Sequence, residues 1–201
     1  MSLGGLLCVA LTIPVWATSQ APASGPHWPL RSVIRVWVDP QNLPPQGTQL
    51  VDRAMQRWTA AAGGAFSLQQ SLTRPQGGIR VYFNGAGGNY GETRTNIDPT
   101  SGLINDADVA IAAAAPIATD DMTRQIIVYL TALHEIGHAL GMRHTANFED
   151  IMYSFREPDD GERYFGNYRR LLRSVNDVGT ATATGLSAYD IGALRALYAP
   201  K

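Results

Sequence analysis

The run Leu133-His134-Glu135-Ile136-Gly137-His138-Ala139-Leu140-Gly141-Met142-Arg143-His144 dictates a helix that ends in an abrupt reversal. His134 and His138 are four residues apart, so on a helix they project from one face, one turn above the other. Two imidazoles placed this way can hold one metal ion without any movement of the backbone. Gly141 can take a positive φ, which ends a helix and turns the chain back. That turn can return His144 toward the same ion. Three neutral imidazoles with a fourth position open describe a catalytic zinc site, because a structural zinc is closed by four protein ligands.

Glu135 supplies the other half of the chemistry. Coming directly after His134, its carboxylate can stand beside the open position of the metal without being a ligand. There it can hold a water molecule and take its proton. Zinc lowers the pKa of such a water from about 15.7 to roughly 7 and polarises a carbonyl oxygen, so the parts for amide hydrolysis are present. A bare His-Glu-x-x-His also arises by chance, as two surface histidines on a helix. Here the chain has only four histidines, and three of them stand at the required positions together with Glu135 and Gly141.

The extended motif resembles that of the metzincin clan of zinc endopeptidases, whose further mark is a methionine-containing turn beneath the metal. Phe148-Glu149-Asp150-Ile151-Met152-Tyr153-Ser154 looks like that turn, with Met152 as its methionine. Leu186–Tyr198 is similar to the C-terminal helix of the matrixins, the metzincin family that contains the matrix metalloproteases. His27-Trp28 resembles the pair near which a matrixin catalytic domain begins. The resemblance spans residues 27–200, with its specificity in 134–152 and 186–198. It implies an α+β, three-layer metzincin fold: a twisted, mostly parallel five-stranded sheet with one antiparallel edge strand, two long helices, and a small C-terminal subdomain ending in a helix. It also implies that Asp190 hydrogen-bonds the turn that carries Met152.

The sequence departs from the family in several places. Outside the motif only His27 remains, so the second, structural zinc of vertebrate-type matrixins is not expected. A cysteine-switch prosegment is not expected either. At the acidic pair that opens the last matrixin helix, the first position is Tyr189 and only Asp190 is acidic. The resemblance then implies that the salt bridge from the first acid to a new N-terminus is lost. Some metzincins add a Tyr two residues after the Met as a further ligand; that position is Ser154, with Tyr153 one step early.

Residues 1–23 read as a signal peptide and 24–201 as one catalytic domain. Leu3 to Trp16 is apolar, and small-residue cleavage patterns follow at Val15-Trp16-Ala17 and Ala21-Pro22-Ala23, so cleavage is expected after Ala17 or Ala23. No Lys or Arg precedes the apolar run, which is unusual for such a leader. Pro14 interrupts it, and a spanning helix needs about 20 apolar residues. Cleavage would remove Cys8, the single cysteine, leaving no disulfide and no thiol-based metal site. A net charge of −1 gives no reason to expect nucleic acid or an anionic membrane as partner. Arg169, Arg170 and Arg173 lie close to Glu157, Asp159, Asp160 and Glu162 and read as a solvated mixed-charge face.

Further elements follow from pattern. Ser32–Val38 is β-branched and aromatic, a strand ended by Asp39-Pro40. Thr48 can cap a helix to about Ala62, with Leu50, Val51, Ala54, Met55 and Trp58 at helical spacing and Gly63-Gly64 as the stop. Strands are expected near Phe66–Ser71 and Ile79–Phe83, then a loop over Asn84–Gly88. Gly91–Ile97 alternates as a short polar strand, Asp98–Gly102 has turn chemistry, and Asp106–Ala113 returns as an apolar strand. A polar strand beside an apolar one suggests the sheet edge. By resemblance a peptide substrate would pair antiparallel to that edge, touching Gly91, Glu92, Thr93, Arg94 and Thr95. Asp98, Asp106 and Asp108 could gather around calcium, which matrixins often use to pin these loops, though Asp98 is equally accounted for by its own turn. Asp120 or Asp121 starts the helix that carries the histidines. Phe155, Tyr164, Phe165 and Tyr168 fall where the family rims the pocket for the substrate residue after the scissile bond, and they could equally form a local packing cluster.

The expectation is a secreted, monomeric zinc endopeptidase acting on protein or peptide, with His134, His138 and His144 on one zinc and Glu135 as general base and acid. The alternatives are a catalytically silent metzincin-like protein that binds peptides or a partner, and an extracellular protein with a structural zinc. Intact Glu135 and Met152 oppose the first of these, and the missing fourth ligand opposes the second.

Overall fold

The computed structural model describes residues 25–84, 90–113, 117–118 and 120–200. The expected leader with Cys8 and both cleavage patterns, and positions 85–88 of the expected loop, lie outside the described residues.

Five strands form one sheet: β1 (Ser32–Val38), β2 (Phe66–Gln70), β3 (Gly78–Phe83), β4 (Gly91–Ile97) and β5 (Ile104–Ile111). Their spatial order is β2-β1-β3-β5-β4, parallel throughout except for β4, which runs antiparallel to β5 at the edge. Alternation sets the faces. Ile34 and Val36 of β1 are buried while Val33 and Arg35 are exposed, and β5 buries Ile104, Ala107, Val109 and Ile111. The expected mostly parallel sheet with one antiparallel edge strand is what forms.

Two long helices follow the expected pattern. In α1 (Gly47–Ala62) the residues at helical spacing, Leu50, Val51, Ala54, Met55 and Trp58, are all buried. Asp120 caps α2 (Asp121–Ala139), its carboxylate accepting from the Thr123 N–H. Every residue of α2 from Gln125 to Leu133 is buried. A helix that is apolar all round belongs inside a protein, and α2 packs against α1, β4, β5 and the C-terminal segment. The motif therefore sits on the most constrained element of the fold.

The third layer holds α3 (Asp160–Arg170), a short 3-10 turn at Val175–Asp177, and α4 (Ala188–Leu197). Helix α3 packs on α2 and α4 on α1. The sequence reading did not anticipate α3, because Gly161, Gly166 and its charges hide a helix that buries only Asp160, Gly161, Phe165 and Tyr168. Acids in its first turn and Arg169 and Arg170 in its last complement the helix dipole.

Three local readings are corrected. Thr48 does not cap α1; the cap position falls two residues earlier, at Gln46 with φ 58°, and the turn closes through backbone alone, Gly47 N–H to Pro44 O at 2.9 Å. Strand β5 starts at Ile104 rather than Asp106, because a register shift in β4 at Asn96/Ile97 carries the pairing back to Ile97↔Ile104. In the expected solvated mixed-charge face Asp160 is buried, while Arg169 stays partly exposed and its guanidinium reaches both Asp120 oxygens, at 2.9 and 3.0 Å, tying the end of α3 to the start of α2. Arg170 and Arg173 are exposed, as expected.

The two ends of the domain meet at the end of α2. The Trp28 indole N–H donates to Ala139 O at 2.8 Å and the Tyr198 hydroxyl to Leu140 O at 2.9 Å. These carbonyls would otherwise be left without partners where the helix stops.

Candidate metal centre

Helix α2 ends in a Schellman motif: Gly141 N–H donates to His138 O at 2.9 Å and Met142 N–H to Gly137 O at 3.0 Å. Gly141 sits at φ 95°, where a side chain is strained, and a β-carbon there would also collide with the Pro26 carbonyl oxygen. The reversal brings His144 back over the helix. Thr145 N–H then donates to Met152 O at 2.8 Å, fastening the returning chain to the methionine turn.

The three imidazoles converge. Their Nε2 atoms are separated by 3.1 Å (His134–His138), 3.0 Å (His138–His144) and 3.3 Å (His134–His144). His134 Nδ1 lies 2.6 Å from Ile151 O and His138 Nδ1 lies 2.9 Å from Met142 O. A carbonyl can only accept, so both Nδ1 atoms carry protons and both Nε2 atoms present lone pairs. Two lone pairs facing each other at 3.1 Å repel unless a cation lies between them. Tetrahedral zinc with nitrogens at about 2.1 Å sets ligand atoms about 3.4 Å apart, and the observed spacing is close to that. The donor set fits zinc, and among the described residues it is the one group of three or more His, Cys, Asp or Glu so arranged.

The electrostatics agree. Burial, followed by the charge of His138, lowers the His134 pKa to about 4 despite the Ile151 hydrogen bond. Burial lowers those of His138 and His144 too. The ring nitrogens are therefore available to a metal rather than to protons at neutral pH.

Glu135 leaves α2 on the side of β4. It is 5% exposed, and burial pushes its pKa up to about 7, against a hydrogen bond from Thr93 that pulls it down. The Thr93 hydroxyl is 2.6 Å from Oε2 and 3.0 Å from the Glu135 carbonyl oxygen. Gly91 lies beneath the same side chain, where a β-carbon would approach Glu135 Cγ to 2.5 Å. Of the five edge-strand residues singled out by sequence, Gly91 and Thr93 thus meet Glu135. Glu92 and Arg94 are exposed and pair with each other at 2.9 Å, and Thr95 is exposed farther along.

Met152 is fully buried, its Sδ against Gly137 of the motif. Its turn is held by Asp190, whose Oδ2 accepts from Ile151 N–H at 2.9 Å and Ser187 N–H at 2.8 Å, while Tyr189 is exposed. The Tyr153 hydroxyl donates to Asp160 at 2.9 Å, so that group is engaged away from the metal site. Beside His134 and His144 opens a cavity of about 560 Å³, walled by Tyr90, Leu130, Phe155, Tyr164 and Phe165 among others. These aromatics also stack edge-on with one another, so packing and pocket-lining turn out to be one arrangement. Tyr168 stands apart, donating to Ala183 O and lining a second hollow.

The three acids considered for calcium are otherwise engaged. Asp98 accepts from the N–H groups of Thr100 and Ser101 within its turn. Asp106 and Asp108 each bond Arg80 at 2.6 Å.

Sequence reasoning passed over Gly137 and the fit of Gly91 under Glu135. A β-carbon on Gly137 would stand 2.5 Å from Met152 Sδ and 3.1 Å from Trp58 Cζ2. Glycine inside a helix costs about 1 kcal/mol relative to alanine, so its presence at mid-motif was itself a sign of close approach.

Comparison with known proteins agrees with this geometry. High choriolytic enzyme 1, a hatching enzyme zinc-protease from Oryzias latipes (medaka fish), superposes with a TM-score of 0.50 at 13% identity, over 92% of this chain and 98% of that one, which speaks to the fold. Metalloendoproteinase 1 of Glycine max is 29% identical over 115 residues, 51% of this chain and 36% of that protein, so the match spans about a third of that curated relative's length. The family model for matrixins, a peptidase family, matches residues 39–165. That match takes in more than half of the chain, including the three histidines, Glu135 and Met152, and the chain belongs to the matrixin family.

Proposed function

We propose that the protein is a zinc-dependent endopeptidase that cleaves extended peptide segments laid along β4. The observation that carries this reading is the convergence of three Nε2 atoms next to a buried Glu135 carboxylate that no ligand role consumes. Zinc held by His134, His138 and His144 would supply Lewis acidity, making water a nucleophile near neutral pH and polarising the scissile carbonyl.

The chain's own residues supply the rest. The free edge of β4 offers backbone N–H and C=O groups to a substrate strand running antiparallel to it. Glu135, when ionised, takes the proton from the attacking water as the oxygen bonds to the carbonyl carbon. It then delivers that proton to the amine nitrogen as the carbon–nitrogen bond breaks. The aromatic cavity next to His134 would receive the side chain after the scissile bond and favours a large apolar one. The reading does not require calcium; Asp106 and Asp108 each pair with Arg80 through one carboxylate oxygen.

A fluorogenic peptide carrying a Phe or Leu after the scissile bond tests the proposal. Cleavage that a chelator abolishes, that zinc restores, and that Glu135→Gln lacks while still binding zinc is the expected result. Zinc binding without cleavage of casein or of a peptide library would instead favour the silent, peptide-binding alternative. Export as a monomer after removal of residues 1–17 or 1–23 is part of the proposal, supported by the apolar run Leu3–Trp16. N-terminal sequencing of protein recovered from the medium, with its mass in solution, checks it.

A further inference from the structure

Resting on that reading, we propose that Thr93 is a positioning residue for Glu135. Its hydroxyl fixes Oε2 so that the carboxylate's other oxygen faces the groove. The two inward-facing residues at the start of β4 have complementary roles. Thr93 Oγ1 reaches Oε2 at 2.6 Å and the Glu135 carbonyl oxygen at 3.0 Å, so its hydroxyl spans the backbone and the tip of the same residue. Gly91, two residues earlier on the same face, has no side chain, and Oε1 lies 2.6 Å from where its β-carbon would be. One oxygen is gripped, and the other rests over bare backbone at a residue that lines the cavity.

A glutamate has three rotatable side-chain bonds, and a carboxylate is effective as a base only when it stands within hydrogen-bond reach of the proton it takes. Among the described residues, Thr93 is the side chain that hydrogen-bonds the Glu135 carboxylate. Strand β4 is also the strand proposed to receive the substrate. The peptide and the base are therefore registered against one backbone: pairing to the edge fixes the scissile carbonyl, and Thr93 fixes the carboxylate two residues from Gly91. A hydrogen bond to a charged group is stronger than a neutral one and adds orientation as well as energy.

The test compares Thr93→Val, which keeps the shape and removes the hydroxyl, with Thr93→Ser, which keeps the hydroxyl. With the fluorogenic peptide, Thr93→Val should lose roughly tenfold or more in kcat with KM within about twofold of wild type. Its zinc content should be unchanged, and Thr93→Ser should recover most of the rate. If Thr93→Val does not fold, Thr93→Ala against Thr93→Ser isolates the hydroxyl on an equally small side chain. A hydroxyl-free variant with wild-type kcat, or one whose loss lies wholly in KM, overturns the positioning role and leaves the peptidase reading standing. A zinc-loaded wild type that cleaves nothing overturns the peptidase reading itself, and this inference with it.

Discussion

Met152 Sδ fills the space that a side chain on Gly137 would need, 2.5 Å from the position of its β-carbon, with Trp58 Cζ2 3.1 Å away. Neither neighbour can withdraw easily: both are 0% exposed, and the Trp58 indole N–H is tied to Leu133 O at 2.8 Å. The methionine thus acts as a floor that only a glycine at mid-helix can accommodate. Replacing Gly137 by Ala should destabilise the protein by about 1–3 kcal/mol through overpacking, although alanine is the better helix former. The turn that carries Met152 also holds the His134 ring through Ile151 O, so zinc affinity should fall together with Tm. Thermal melts and competition with a zinc chelator read both effects, and a variant as stable as wild type with equal affinity refutes the floor.

Gly91→Ala probes the opposite wall of the same helix. Here the added β-carbon meets Glu135 Cγ at 2.5 Å and Oε1 at 2.6 Å, atoms of a side chain able to swing away. Strand stability should change by less than about 1 kcal/mol, while kcat drops by roughly tenfold or more because the carboxylate is displaced. Zinc content should stay at wild-type level. A variant that loses its metal or its fold, and not its rate, would show that Gly91 serves the sheet rather than Glu135.

Asp190 reaches the metal centre through two intermediaries. Its Oδ2 holds the N–H of Ile151, whose carbonyl in turn orients His134. It also accepts from Ser187 N–H, while Ser187 Oγ accepts from Asp190 N–H in the capping box of α4. Truncation to Ala strands the buried Ile151 N–H and the half-buried Ser187 N–H, the latter being one half of the capping box, a loss of roughly 2–3 kcal/mol. Asp190→Asn keeps one acceptor oxygen and should retain more of that stability. Chemical denaturation of the two variants separates the losses, and equal stability of Ala and Asn would exclude the hydrogen bonds as the cause.

What could be read from sequence and what could not divides along physical lines. Periodicity and the His134–His138–Gly141–His144 spacing are local, so the zinc helix, its reversal and the edge position of β4 were legible. The Met152 turn and its Asp190 support were legible by resemblance. Helix α3 was not, because its buried set is small and its glycines imitate a loop; Gly161 is needed where Tyr90 closes over it. The service of Thr93 and Gly91 to Glu135 was not legible either, since both are ordinary edge-strand residues until α2 is laid beside them. Arg169, read as one of a charged run, meets Asp120, a residue far away in sequence. Contacts between elements distant along the chain carry no period and leave no local mark.

The metal-free protein should show a pH dependence in which Glu135 and the histidines oppose each other. In the folded state Glu135 is raised from 4.5 to about 7, chiefly by burial. A group whose folded pKa exceeds its unfolded value contributes stability that is fully present below the unfolded pKa and is lost as pH rises through the folded one. From pH 4.5 to above 7 its ionisation therefore works against folding, by about 3 kcal/mol in total. His134 is lowered to about 4, and His138 and His144 are lowered as well. Their contribution is present above pH 6.5 and lost as the pH falls through their folded values. Over pH 4.5 to 6.5 the slopes have opposite signs, and because three histidines face one carboxylate the wild-type stability should still rise with pH, less steeply than it would without Glu135, before dipping between pH 6.5 and about 7. In Glu135→Gln the opposing carboxylate is gone, so stability should climb more steeply toward pH 6.5 and then level off. Urea denaturation in the presence of chelator, at intervals from pH 4 to 8, gives both curves. Their difference should grow with pH by about 3 kcal/mol, and parallel curves would mean that Glu135 titrates in the folded chain as it does in water.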